Sequence, residues 1–515
     1  MPLRRRRTPD RQTIELVDDV EDWDLEDEHP QSPAAHTGPG TPRGAGSAAG
    51  AGGAAVPDRP RRGRVLVASA GVLALLLGGA VVVDTVRSRA QDDRLAVARG
   101  GVLPLPVAPS TLWTVEAPIG AASVPGALVT VVGEVAVGLD LDTGAELWRT
   151  ALGADASCGS SSWLPDRHET DDLVCVTGQE PARVLVLDRD GQVLADRELD
   201  PSRGLAVPGP GVDLVRVVRT GDAVGDGEVL DVDPSTGETE PVEDGRDVVV
   251  RLEDAVSGEV RWEETVPFEP DTWRCSTWEG DEARATRESL WVIGGGRTFT
   301  VTGCGVSASY DTSGQRLDDP GTLDDRVMEA VGGGFLRVAD TRHGGVEESE
   351  LFGPDGSVVR VPGEILDPQS TDGGDVDVRL VVEPGAAARA VDGSGGEAWT
   401  IEGTVRPDQV LAHAAGVVVV SSNGGTAGLD AATGRELWSR AAEEDRYVLR
   451  AMTDGASVII ARARSDGMSS VQVQAIDLRD GSLVWEIDDT SLRGYPMTVQ
   501  GRLFLWTGNS ITRIG

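Results

Sequence analysis

Gly138-Leu-Asp-Leu-Asp-Thr-Gly-Ala-Glu-Leu-Trp148 decides the fold, because it does not stand alone. It returns as Gly428-Leu-Asp-Ala-Ala-Thr-Gly-Arg-Glu-Leu-Trp438 and as Ala475-Ile-Asp-Leu-Arg-Asp-Gly-Ser-Leu-Val-Trp485. Looser copies end at Trp262, four residues after Gly258, and at Trp399, four after Gly395. Copies without the Trp occur at Leu187–Gly191, Tyr310–Gly314 and Phe352–Gly356. In each unit an apolar strand runs into an Asp. Asp140, Asp430 and Asp477 can bond their own backbone, and Gly144, Gly434 and Gly481 supply a positive φ, so each stretch reads as a tight turn. The next strand carries the Trp, whose large apolar area can seal one sheet against its neighbour. A single sheet of this kind cannot bury both faces, so several must stack.

Working outward, the turn glycines fall at 144, 191, 258, 314, 356, 395, 434 and 481. That period fits four-stranded units, with an insertion around residues 221–246. The repeat region opens on Leu112-Trp113, which resembles a last strand without its predecessors. It ends on Gly501–Gly515, which resembles two strands without a Trp-bearing successor. The two ends therefore read as one closing unit, which would remove exposed sheet edges. The expected fold is all-β, a β-propeller over 111–515. Nine candidate units exceed the usual range of about four to eight blades, so eight blades are favoured and seven come second.

The Asp-x-x-Thr-Gly-x-x-x-Trp pattern resembles the pyrroloquinoline-quinone-like repeat of the quinoprotein alcohol dehydrogenase-like propellers. The resemblance is specific at 138–148, 428–438 and 475–485 and weak elsewhere. It implies a propeller, and its relatives include quinone dehydrogenases, outer-membrane assembly scaffolds and sensor ectodomains. Enzymes of that family hold the quinone under a disulfide between adjacent cysteines. The four cysteines here, Cys158, Cys175, Cys275 and Cys304, include no adjacent pair. No cofactor, catalytic or metal-binding residue is carried over, and the chain is expected not to be an enzyme.

Other chemistry is equally thin. Asp140/Asp142, Asp188/Asp190 and Asp231/Asp233 do not continue into a calcium loop with a terminal Glu, so they read as turns. The five histidines, His29, His36, His168, His343 and His413, show no metal-ligand spacing. There is neither a Gly-x-Ser-x-Gly elbow nor a phosphate loop. Four cysteines allow three pairings; Cys158–Cys175 and Cys275–Cys304 are favoured, because each would staple strands of one repeat.

Before the repeats the chain changes character. Residues 1–64 hold 11 acids and 10 Arg and are rich in Pro, Gly, Ala and Ser from 30 to 60, which reads as a disordered tail. Trp23 lies in its acidic stretch as a possible linear motif. Val65–Val83 is a run of 19 residues without charge, preceded by Arg61, Arg62 and Arg64. At about 1.5 Å per residue it matches a bilayer core, and the positive-inside rule places the tail in the cytoplasm. The expected arrangement is a single-pass bacterial cell-membrane protein with an extracytoplasmic domain. Ser88-Arg89-Ala90 offers a signal-peptidase site, but retention of the anchor is expected. Residues 84–110, with Pro104, Pro106 and Pro109, read as a tether.

All 47 basic residues are Arg. Residues 85–515 hold 73 acids and 37 Arg, a net charge of −36, which repels nucleic acid and favours cationic partners. The expected function is a non-catalytic binding or scaffolding module for a protein or envelope component. A sensor ectodomain and a quinone-dependent dehydrogenase are the alternatives.

Overall fold

The computed structural model describes residues 88–515, apart from 118–120, 160–170, 179–180, 234–238, 273, 281, 295, 321–324, 342–344, 402–405, 424, 443–444, 465–466 and 488–492. The chain divides into units 1–73 and 74–515, and every described residue belongs to the second. The tail with Trp23, the Val65–Val83 run, His168 and His343 lie outside the described residues. No helix among the described residues is long and apolar enough to cross a membrane.

The described residues are almost entirely strands. All but one of the repeats contain four antiparallel strands, as the Asp–Gly turns require. The first sheet contains Ala121–Val124, Ala127–Val132, Val135–Asp140 and Glu146–Ala151. The second has Ser157–Cys158, Asp172–Val176, Arg183–Asp188 and Val193–Glu198. The third has Leu205–Pro208, Asp213–Arg219, Val248–Asp254 and Val260–Val266. The fourth has three strands only, Leu290–Gly294, Thr298–Gly303 and Val306–Asp311. The fifth has Arg326–Glu329, Phe335–Thr341, Gly345–Phe352 and Val358–Pro362. The sixth has Glu364–Leu366, Val378–Val382, Arg389–Asp392 and Glu397–Thr400. In the seventh, Gln409–Ala414, Val417–Ser422, Gly425–Asp430 and Glu436–Arg440 are joined by the parallel strand Ser370–Thr371. The eighth has Arg446–Thr453, Ser457–Arg464, Gly467–Asp477 and Leu483–Ile487.

The ninth sheet joins the two ends of the repeat region. Tyr495–Val499, Arg502–Trp506 and Ser510–Ile514 are completed by Thr111–Glu116, which pairs antiparallel with Ser510–Ile514. Ser110 and Gly515 exchange both backbone hydrogen bonds, at 3.1 and 3.0 Å. Nine sheets of three to five strands stand among the described residues, beside the two-stranded hairpin Ser276–Glu279/Glu282–Ala285. The degenerate repeat at Tyr310–Gly314 forms a sheet despite lacking its Trp.

Apolar clusters join these sheets in series. Val129 and Leu185 lie in a cluster shared by the first and second sheets, and Val186 and Leu214 in one shared by the second and third. Val250 and Phe299 belong to the next, between third and fourth. Further clusters join the fifth to the sixth, sixth to seventh, seventh to eighth, eighth to ninth and ninth to first. Burying each Val, Leu or Ile in such a joint favours the stacked state by about 1.5–3 kcal/mol.

Within the stretch expected to be a tether, the described residues begin with an ordered segment. Residues 88–97 form a helix, and Leu95, Gly100 and Val102 are buried. The prolines begin only after this helix and leave it unbroken. The segment is fixed by backbone pairing: Val102 donates to the Thr453 carbonyl at 2.8 Å, Thr453 returns a bond to Gly100, and Leu103 donates to Gly501 at 2.7 Å. Ser88, Arg89 and Ala90 lie in the helix.

Candidate partner-binding face

The repeat residues build the frame first. Asp140 Oδ1 accepts from the Thr143 hydroxyl at 2.7 Å and the Thr143 N–H at 2.8 Å, while Gly144 N–H donates to the Asp140 carbonyl. Asp430 makes the same turn with Thr433, and Asp477 accepts from Arg479 N–H. The hydroxyl bonds hold the Asp140 and Asp430 carboxyls below their ordinary range. These oxygens are thus committed to turns. Asp142 is paired with Arg502, and no group of metal ligands occurs among the described residues.

Each turn glycine has a positive φ, from 69° at Gly144 to 87° at Gly314. A second constraint is contact with the preceding sheet's Trp. A Cβ at Gly144 would lie 2.6 Å from the Trp113 ring, one at Gly191 2.5 Å from Trp148, and one at Gly314 2.8 Å from Trp262. Gly434 receives Trp399 and Gly481 receives Trp438 in the same way. Trp148, Trp399 and Trp438 also donate their indole N–H to turn carbonyls of the next sheet, Arg189, Ala431 and Leu478, at 2.8–2.9 Å. Trp485 has no such turn ahead of it and donates instead to Leu105 at 2.7 Å. Gly258 meets Arg197 and Gly395 meets Val359, where the repeat has lost its Trp.

The disulfides are Cys158–Cys175 and Cys275–Cys304. The first links directly opposed residues of two adjacent strands. The second ties the segment before the fourth sheet to the turn between that sheet's second and third strands.

Antiparallel order gives every sheet two distinct ends. First-to-second strand turns and the Asp–Gly turns lie at one end. Second-to-third turns and the links between sheets lie at the other. The segment 88–105 occupies the first end: it meets the turns after Thr453 and Val499, and Arg99 pairs with Asp367 and donates to the Glu329 carbonyl. Asp367 also accepts from Val331 N–H at 3.1 Å, so this buried carboxylate locks the segment to the fifth and sixth sheets.

The second end carries the insertion between Arg219 and Val248 and the hairpin Ser276–Glu279/Glu282–Ala285. Val229 of the insertion bridges Arg284 of the hairpin, and Val242, Cys275, Ala285 and Cys304 form their small core. Large apolar side chains stay exposed here: Trp278 at 52%, Val229 at 54% and, at the start of the fourth sheet's first strand, Trp291 at 53%. Glu228 and Asp244 pair here with Arg287, and Glu279 with Arg284. Neither Trp278 nor Trp291 follows a Gly by four residues. That spacing sets them apart from Trp148, Trp262, Trp399, Trp438 and Trp485, while Trp113, which stands four residues after Pro109, is marked by its place at the start of the repeats.

Repeated four-stranded antiparallel sheets locked by Trp on turn glycine define a β-propeller. Residues 369–507 match the family described as outer membrane protein assembly factor BamB. The match places pyrroloquinoline-quinone-like repeats in residues 369–507. No curated protein matches it. Among solved structures, BamB from Moraxella catarrhalis is 14% identical with a TM-score of 0.37, over 79% of this chain and 99% of that one. Quinohemoprotein alcohol dehydrogenase ADHIIG from Pseudomonas putida HK5 is 11% identical with a TM-score of 0.36, over 83% and 81%. The quinohemoprotein alcohol dehydrogenase from Comamonas testosteroni is 10% identical with a TM-score of 0.34, over 79% and 76%.

Proposed function

We propose that this chain is a non-catalytic, protein-binding propeller of nine sheets in one ring, anchored by Val65–Val83 with its repeats outside the cell membrane. The observation that carries the reading is the asymmetry of the two sheet ends. One is covered by the chain's own residues 88–105. The other exposes Trp278, Trp291 and Val229 beside carboxylates. Exposed aromatics with an opposing charge field are the usual anchors of protein recognition. The partner face therefore lies at the inserted end, and the net negative charge of residues 85–515 favours a partner with basic groups around an apolar patch. The matched family description, an outer-membrane assembly factor, supports the scaffold reading.

The test is proximity labelling in the native host, with the labelling enzyme fused after Gly515. The Trp278→Ser/Trp291→Ser double variant serves as the comparison. Reproducible enrichment of a few envelope proteins that vanishes in the variant supports the face and the function. Enrichment unaffected by the variant moves the face elsewhere, and an even background in both removes the scaffold reading.

A further inference from the structure

Neighbouring sheets meet through an apolar cluster at every joint but one among the described residues. The exception is between the fourth sheet, Leu290–Asp311, and the fifth, Arg326–Pro362. Three independent features coincide there. The fourth sheet spends its apolar face on the third, through Val292, Phe299, Val301, Val306, Ala308 and Tyr310. Its opposite face holds Trp291, Ile293, Thr300, Thr302, Ser307 and Ser309, and Trp291 and Ile293 are half exposed. Secondly, this sheet lacks the fourth strand. The position four after Gly314 is Asp318, which turns back to accept from Ser309 N–H at 2.6 Å, while Leu317 N–H donates to the Ser309 carbonyl. Thirdly, no side chain lies within 4 Å of a Cβ placed on Gly356, the turn that would receive the missing Trp.

The joint is polar instead. On the fifth sheet's facing side Arg337 pairs with Glu350, its neighbour on the adjacent strand, at 2.8 Å, and with Asp325 at 3.3 Å and Asp319 of the connecting segment, so these pairs lie within the fifth sheet and its approach. Arg297 lies 5.6 Å over Phe335 and its N–H meets the Glu329 carboxylate. Ion pairs of this kind contribute little net stability, because desolvation offsets their attraction, and exposed members are screened by salt.

Resting on the one-ring reading above, we infer that the joint between the fourth and fifth sheets is the built-in opening of the ring. It parts before the apolar joints do and uncovers the Trp291–Ile293 face. The connecting residues Arg316, Leu317 and Asp318 blunt the strand edge that opening would otherwise leave free for aggregation.

Hydrogen exchange of the full-length protein in detergent, read by mass spectrometry at 0.1 and 1 M NaCl, tests this. Peptides from 290–311 and 326–352 are expected to exchange at least about tenfold faster than those from 409–440 and 446–487, and to accelerate further in salt. Arg337→Ala should speed the 326–352 peptides and leave 409–487 unchanged. Equal protection of the two sets at both ionic strengths overturns the inference even if the partner face is confirmed. Faster exchange with no response to salt or to Arg337→Ala overturns the ionic account of the joint.

Discussion

Trp438 and Trp291 show how one residue type takes two roles in this chain. Trp438 is 7% exposed, its ring lies against Gly481, and its N–H is bonded to Leu478. Trp438→Ala is expected to destabilise by about 3–5 kcal/mol, read as a lowered thermal midpoint. Trp291→Ala should change stability by no more than about 0.5 kcal/mol. Asp213 gives a pH dependence. It is buried in the third sheet and paired with Arg261 at 3.0 Å, yet burial raises its pKa to about 6 from an ordinary 3.8. A carboxyl raised on folding favours the folded state when protonated, so its contribution weakens as pH climbs from about 4 through 6. Asp213→Asn should therefore gain thermal stability relative to wild type between pH 5 and pH 7. A midpoint difference that is constant or moves the other way would sink this assignment.

At the scale of elements, the 88–105 segment is held by backbone pairing with Thr453 and Gly501, by burial of Leu95 and Val102, and by the Arg99–Asp367 pair. Arg99→Ala should leave the sheets intact but expose 88–105 to limited proteolysis, visible as early cleavage in that stretch. The Cys275–Cys304 bond secures the hairpin rather than the sheet. Replacing both cysteines by Ser should make 268–289 protease-sensitive with the fourth sheet still folded, and would cost about 3 kcal/mol on a chain-entropy estimate. Much of this level was legible in the residues. The Asp–Gly turns, the Trp-bearing strands, the closing pair of Leu112-Trp113 with the last strand and both disulfide pairings follow from local spacing and turn chemistry. The fourth sheet's missing strand was legible only as a missing Trp, since Asp318 folds back through contacts distant from its own turn. The docked segment was illegible because its partners, Asp367, Thr453 and Gly501, lie hundreds of residues away and share no periodicity with it. Trp278 and Trp291 could have been set aside by the absence of Gly at 274 and 287, where Arg stands in both cases.

Across the described residues, the sheets are linked in series, and one joint lacks the apolar cluster that the others have. Losing one apolar joint should then be felt on both sides of it, whereas loosening the polar joint should stay local. The ninth sheet is the other singular place. Removing Ser510–Gly515 would strand Thr111–Glu116 without its partner and leave Arg502–Trp506 as an open edge. Such a truncation is expected to abolish the cooperative thermal transition and to promote aggregation, measurable by calorimetry and light scattering. The paired residues Thr114 and Thr512 stand 398 apart in the chain. During synthesis the earliest strand of the domain must therefore remain unpaired until the latest one emerges. A ribosome that stops short releases a product with an unmated strand at each end of the break, a form that proteases and chaperones recognise. The pairing of Thr111–Glu116 with Ser510–Ile514 thus ties completion of the first strand's sheet to synthesis of a strand some four hundred residues later.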